Sequence, residues 1–125
     1  MSARLPELLS AGPGEAPGSY IERVRVSAEL VYFRGHFEGG AVLPAVAQIT
    51  ALLGPAIERG FPALGPLLEA EGLRFEQPIG PDEIVELRLD PDPRGGGWLR
   101  FRIQRSADRL AQGRLRMAER PAESR

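Results

Sequence analysis

With 125 residues, 16 basic and 17 acidic side chains, one histidine and no cysteine, the chain has room for one domain around one hydrophobic core. Lack of cysteine excludes disulfides and thiolate metal sites, and a single histidine excludes a multi-histidine zinc or iron site within one protomer. No stretch approaches the roughly eighteen continuous apolar residues of a membrane span, and the first residues lack the apolar core of a secretory signal, so the expected location is the cytoplasm.

Every basic residue is an arginine, and the charge is uneven. Residues 1–93 hold 7 arginines against 14 acids, whereas residues 94–125 hold 9 against 3. A basic C-terminal segment suits a solvated sheet face first and an acidic partner second.

In chain order, residues 1–19 read as a short helix or arm followed by a loop at Gly12-Pro13-Gly14 and Ala16-Pro17-Gly18. From Tyr20 a strand begins, with Val24 and Val26 on one face and Arg23 and Arg25 on the other. A glycine-rich loop follows, and Pro44 opens a helix over 45–59, proline being favoured at the first helical position. Apolar residues surround this helix almost completely up to Glu58, which predicts burial, and Pro55 predicts a kink or an early end.

After Gly60 the period changes to two. Leu73 and Phe75, then Val85, Leu87 and Leu89, then Leu99, Phe101 and Ile103, then Leu115 and Met117 alternate with charged residues. Turn signals at Pro78–Pro81, Pro91–Gly97 and Ser106–Asp108 separate these runs, and residues 118–125 read as a frayed tail. One buried helix followed by half-exposed strands predicts an α+β fold, an antiparallel sheet wrapped around the helix.

The loop before the helix carries the chemistry. It sets His36 among glycines, eight residues ahead of Pro44. The first amides of a helix are unpaired and lie at the positive end of its dipole, where a carbonyl oxygen would be polarised. A histidine beside such a carbonyl can remove a proton from the adjacent carbon.

The run Gly35-His36-Phe37-x-Gly39-x-x-Val42-Leu43-Pro44 resembles the GHFPGxPVxPG signature of β-hydroxyacyl-carrier-protein dehydratases, the FabA/FabZ-like superfamily. Tyr32-Phe33-x-Gly35-His36-Phe37 together with Leu43-Pro44-x-Val46-x-Gln48 is most similar to the ApeI-like dehydratases of aryl-polyene and related lipid pathways. The likeness continues through Leu73–Pro81 and covers roughly residues 20–118.

The resemblance implies a hot-dog fold, a homodimer with joined sheets, and an acyl tunnel at the subunit interface. It implies an acyl thioester substrate carried on an acidic acyl carrier protein or on CoA, with no cofactor and no nucleic acid. His36 matches the catalytic histidine that removes the proton α to the thioester. Ala45 matches the glycine whose backbone amide holds the thioester carbonyl. Phe37, Gly39, Pro44, Val46 and Leu53 are the expected substrate neighbours, and Tyr32, Phe33 and Phe61 join Phe37 as possible tunnel walls.

Four departures stand out. Glu38 and Ala41 replace two family prolines, and Gly54 stands where a glutamine is frequent. Fourteen residues after the histidine, where these dehydratases place an acid that protonates the leaving hydroxyl, this chain has Thr50. A threonine hydroxyl can position water or a substrate hydroxyl but is a poor proton donor. Thr50 also shares a helical stripe with Val46, Leu53 and Ile57, where packing is its simpler role. The dehydratase reading therefore has two rivals, a hot-dog thioesterase and a catalytically weak acyl-thioester-binding subunit. Arg100, Arg102, Arg114 and Arg116 fall on the polar side of their strands, a solvated face first and a carrier-docking surface second; no aromatics interleave with them as nucleic-acid stacking would require.

Overall fold

A computed structural model describes residues 6–27 and 43–120, and within them the chain forms strands and one helical run. The strands are β1 (Glu7–Pro13), β2 (Tyr20–Arg25), β3 (Leu64–Phe75), β4 (Ile84–Pro91), β5 (Trp98–Arg105) and β6 (Asp108–Glu119). They make one sheet in the order β1-β2-β4-β5-β6-β3, every neighbouring pair antiparallel. The helical run between β2 and β3 packs on one face of it, which is the expected α+β arrangement.

The period-two runs explain the sheet. Val85, Leu87 and Leu89 of β4 and Leu99, Phe101 and Ile103 of β5 are all buried. Register sets Leu87 opposite Ile103, Leu89 opposite Phe101 and Leu99 opposite Leu115, so the apolar side chains share one face and the arginines the other. Each fully buried leucine or isoleucine on that face contributes about 1.5–3 kcal/mol. In the β4–β5 connection Gly97 has φ +85, and a Cβ there would run into the carbonyl of Met117, so this position requires glycine.

Both chain ends differ from expectation. Residues 7–13, read as helix or arm, form β1, because pairing with β2 satisfies their backbone groups where an isolated short helix would not form. At the other end β6 continues to Glu119, and the Arg120 amide and Nε bond the carbonyls of Ala63 and Leu64 at 3.0 and 2.9 Å. The segment read as tail is thus held through residue 120.

The helical run has three parts: α1 (Ala45–Ala47), a π-helical segment Gln48–Leu53, and α2 (Gly54–Gly60). Pro44 is its N-cap, one place earlier than expected, with extended backbone and its carbonyl accepting the Gln48 amide at 3.0 Å. Pro55 does not end the helix. A proline ring crowds the carbonyl four residues back, and the wider π winding ahead of it, with the Gly54 amide bonded to the Ile49 carbonyl, relieves that crowding.

The π segment also decides which side of the run is covered. Ala47, Leu52, Leu53, Ala56 and Ile57 are buried. Val46 is 64% exposed, Thr50 and Glu58 are exposed and Gly54 is half-buried, so the expected all-round burial is not realised. In a continuous α-helix residues four apart drift by about 40° each step, or about 120° from Val46 to Glu58. A π turn holds more residues, so a four-residue step there falls short of a full turn and the drift is taken back. Positions 46, 50, 54 and 58 consequently form one open stripe.

Candidate active site

The start of the helical run is anchored from two directions. Leu43 is buried; its amide bonds the Ile79 carbonyl at 2.7 Å, and its carbonyl accepts Nε2 of the buried Gln48 at 3.2 Å. Among the described residues, Gln48 Oε1 is buried without a hydrogen-bond partner. This clamp fixes the approach to Pro44 and Ala45, both exposed. The Ala45 amide is one of the first helical N–H groups, which have no acceptor within the helix. His36, Phe37 and Gly39, with Tyr32, Phe33, Glu38 and Ala41, lie outside the described residues.

Along the open stripe, Thr50 Oγ1 donates to the Val46 carbonyl at 2.9 Å. Its proton is therefore committed to the helix, and its lone pairs remain available to accept. Thr50 opens on a cavity of about 440 Å³ between the helical run and the β3–β6 side of the sheet. Ile49, Ile57, Leu64, Leu67, Leu115 and Met117 make the walls apolar, and Glu58 and Arg120 add the charged groups. Ala45, Val46 and Thr50 thus share the exposed side of the run, whereas Leu53 is wholly enclosed in the core.

β3 is the sheet edge beside this cavity, with Leu67 and Leu68 41% and 51% exposed. A twelve-residue edge strand with free backbone groups and exposed leucines is a template for pairing.

The opposite side of the helical run is locked by a group that reading the sequence missed. Glu22 of β2 is fully buried; Arg59 grips it at 2.7 and 2.8 Å, and Tyr20 Oη donates to it at 2.6 Å. Burial, together with the Glu22 carboxylate it bonds, pushes the Tyr20 phenol up to about 12. The hydrogen bond to Glu22 raises the Arg59 guanidinium further above its ordinary value. Glu22 is in phase with Val24 and Val26, so the period-two pattern held the signal that its carboxylate points inward.

Known proteins place this architecture. A chain of the dehydratase heterocomplex ApeI:P from Xenorhabdus doucetiae superimposes with a TM-score of 0.75 at 24% identity, covering 91% of this chain and 98% of that one. An uncharacterized protein from Erwinia carotovora subsp. atroseptica gives 0.74 at 23%, covering 92% and 97%. Such likenesses carry the fold, and the fold is the hot-dog. The family model described as ApeI dehydratase matches residues 15–114, and the chain belongs to this ApeI-like family.

Among curated relatives, 3-hydroxyacyl-[acyl-carrier-protein] dehydratase FabZ of Verminephrobacter eiseniae (strain EF01-2) is 35% identical over 77 residues, which are 54% of this chain and 51% of that protein. The protein of the same name from Polynucleobacter necessarius subsp. necessarius (strain STIR1) is 33% identical over 85 residues, 62% of this chain and 56% of that protein. The chain spans about half the length of the curated relatives it matches. Among the described residues no group of His, Cys, Asp and Glu is arranged to hold a metal ion, and no helix is long and apolar enough to cross a membrane.

Proposed function

We propose that the chain is a hydro-lyase that removes water from 3-hydroxyacyl thioesters carried on acyl carrier protein or CoA, in lipid synthesis of the fatty-acid or polyene type. The observation that carries this reading is the family match over residues 15–114, which includes His36 and the clamped helix start. In the reaction, His36 takes the proton from the carbon α to the thioester. The electrons pass onto the carbonyl oxygen, which the Ala45 amide holds. They then form the C2–C3 double bond as the C3 hydroxyl leaves; one further proton makes the leaving group water. Phe37, Gly39, Pro44 and Val46 border the substrate, and Leu53 supports this wall from within the core.

The working unit is a homodimer joined along β3, so that a partner covers Leu67, Leu68 and the cavity beside Thr50. Thr50 accepts a hydrogen bond from the substrate hydroxyl or from the water that delivers the last proton. A second reading has one specific observation in its favour: Thr50 Oγ1 spends its proton on the Val46 carbonyl. On that reading the chain is a weakly catalytic acyl-thioester-binding subunit that relies on a homologous partner for its acid.

The test is hydration and dehydration of short and long acyl thioesters by wild type and His36→Ala, with sedimentation on the same samples. The proposal expects a dimer whose activity falls by about a hundredfold or more on losing the base. A dimer inactive on every thioester tested supports the binding-subunit reading. A stable monomer at micromolar concentration removes the shared site.

A further inference from the structure

The outer face of the sheet, away from the helix, carries a basin that the proposed dehydration does not use. Its volume is about 470 Å³, within the range of small-molecule sites. Arg88, Arg100, Arg102 and Arg114 line its floor, and the β1–β2 loop at Gly14–Ala16 with Ser19 forms one rim. Register sets Arg88 of β4 directly opposite Arg102 of β5, and Arg100 of β5 opposite Arg114 of β6. Like charges directly opposite on one sheet face repel and destabilise it.

Neighbouring arginines on this face are neutralised. Arg114 pairs with Glu71 at 3.0 Å, and Arg116 with Glu69 at 2.8 Å. Arg88, Arg100 and Arg102 form no ion pair among the described residues; Arg102 has only Gln104 Oε1, at 3.5 Å. Asp90, opposite Arg100 in register, and Glu15 are the only acids in the lining; with Arg114 taken by Glu71, three guanidiniums face two carboxylates. Gly72, at φ +62, forms the far rim beside the Arg114 guanidinium.

We infer that this basin binds a small organic phosphate with at least two phosphoryl groups. Guanidinium forks match phosphate oxygens bidentately. Arg100 and Arg102, two residues apart on β5, are about 6.6 Å apart along the strand, so the two cross-strand arginine pairs present two successive anion positions rather than one. Arg88 and Arg102 hold the first position without an acid partner, and Arg100, beside an Arg114 shared with Glu71, offers the second. The only aromatic residue in the lining, Phe101, is 3% exposed, and the nearby Trp98 is stacked under Arg94 at 3.9 Å. The basin therefore reads phosphates and offers no platform for a base. The β1–β2 loop raises one rim above the arginines, which favours a small anion over the flat contact of an acidic protein.

The probe is inorganic diphosphate, titrated calorimetrically into the full chain at low ionic strength, with sulfate at matched ionic strength as reference. Diphosphate is expected to bind more tightly than sulfate and to raise Tm. Replacing both central arginines (Arg88→Gln with Arg102→Gln) should weaken diphosphate at least tenfold. The same change should raise the ligand-free Tm, because it removes a repulsive pair; that rise also shows that the variant folds. Equal affinity for diphosphate and sulfate, or binding unchanged in the double variant, overturns the proposal. Polyglutamate displacing diphosphate at lower concentration through the same arginines overturns it in favour of an acidic protein surface. None of these outcomes bears on His36 or on the dehydratase reading.

Discussion

The two flanks of the helical run are built on opposite principles. Toward β2 it is sealed: the Arg59 guanidinium lies across a carboxylate with no solvent exposure, and Tyr20 closes the third side. Toward β3 it is open: Thr50, Gly54 and Glu58 run along a cavity bordered by an edge strand, with exposed Val46 on the same stripe. The two sheet edges differ in the same sense. β1 is seven residues long and ends in Pro13, which discourages pairing, whereas β3, although its register with β6 shifts three times, presents twelve residues and three exposed leucines. One flank uses its charged groups to hold the helix in place, and the other leaves the helix exposed beside a cavity.

The largest expected effect of breaking that asymmetry lies at Thr50 on the open flank. General-acid assistance is typically worth roughly a hundredfold to ten-thousandfold in rate, or about 3–5 kcal/mol. Thr50→Glu places a carboxyl on the cavity wall near Ile49 and Ile57, where cover by a dimer partner would raise its pKa and keep a protonated fraction near neutrality. Dehydration should rise within that range and disappear when His36→Ala is added. A wild type already as fast as dehydratases that carry an acid at this position would show that water held by Thr50 serves as the acid.

On the sealed flank the effect is on stability and is asymmetric between partners. Arg59→Ala leaves the Glu22 charge enclosed and unpaired, and should cost about 3 kcal/mol in urea unfolding. Glu22→Gln should cost less, because the Arg59 side chain is 39% exposed and can turn to water. By contrast Glu58→Ala, on the exposed stripe, should stay within about 0.5 kcal/mol. Equal losses at Arg59 and Glu58 would mean that the sealed flank is no more than a surface ion pair.

Much of the sheet was legible in the sequence, whereas the contrast between the flanks was hidden for definable reasons. β4, β5 and β6 declared themselves through strict alternation, and Pro44 marked the start of the helical run. β1 was missed because Glu7–Pro13 has no alternation of its own and gains its strand conformation from β2. The open stripe was invisible because reading 45–59 as uniform α-helix misplaces Thr50 and Glu58 relative to each other; only the π winding before Pro55 aligns them. The Arg88–Arg102 pair depends on the register between two strands, which neither strand contains by itself. Glu22 was readable in principle, being in phase with two buried valines, but its partner lies 37 residues further on.

The smallest effect is also the sharpest probe of the sealed flank. Tyr20 packs edge-on against Phe61, ring centroids 6.1 Å apart, and Tyr20→Phe keeps that contact while removing the hydroxyl's bond to Glu22. A hydrogen bond to a charged group contributes about 1.5 kcal/mol at the low end, and Arg59 still holds Glu22 in the variant. The phenol titrates at about 12 in the fold against an ordinary 10.0, so the folded state favours its protonated form. Stability from this source is fully present below pH 10 and is lost as pH rises toward 12, because the unfolded chain releases the proton first. The stability gap between wild type and Tyr20→Phe should therefore narrow across that interval. Absorbance at the phenolate band should lose a late-titrating component in the variant, leaving Tyr32, the chain's other tyrosine. A gap that stays constant from neutrality to pH 12, or a Tyr20 phenol that titrates near 10, would show that water reaches Glu22 and that the flank is not sealed.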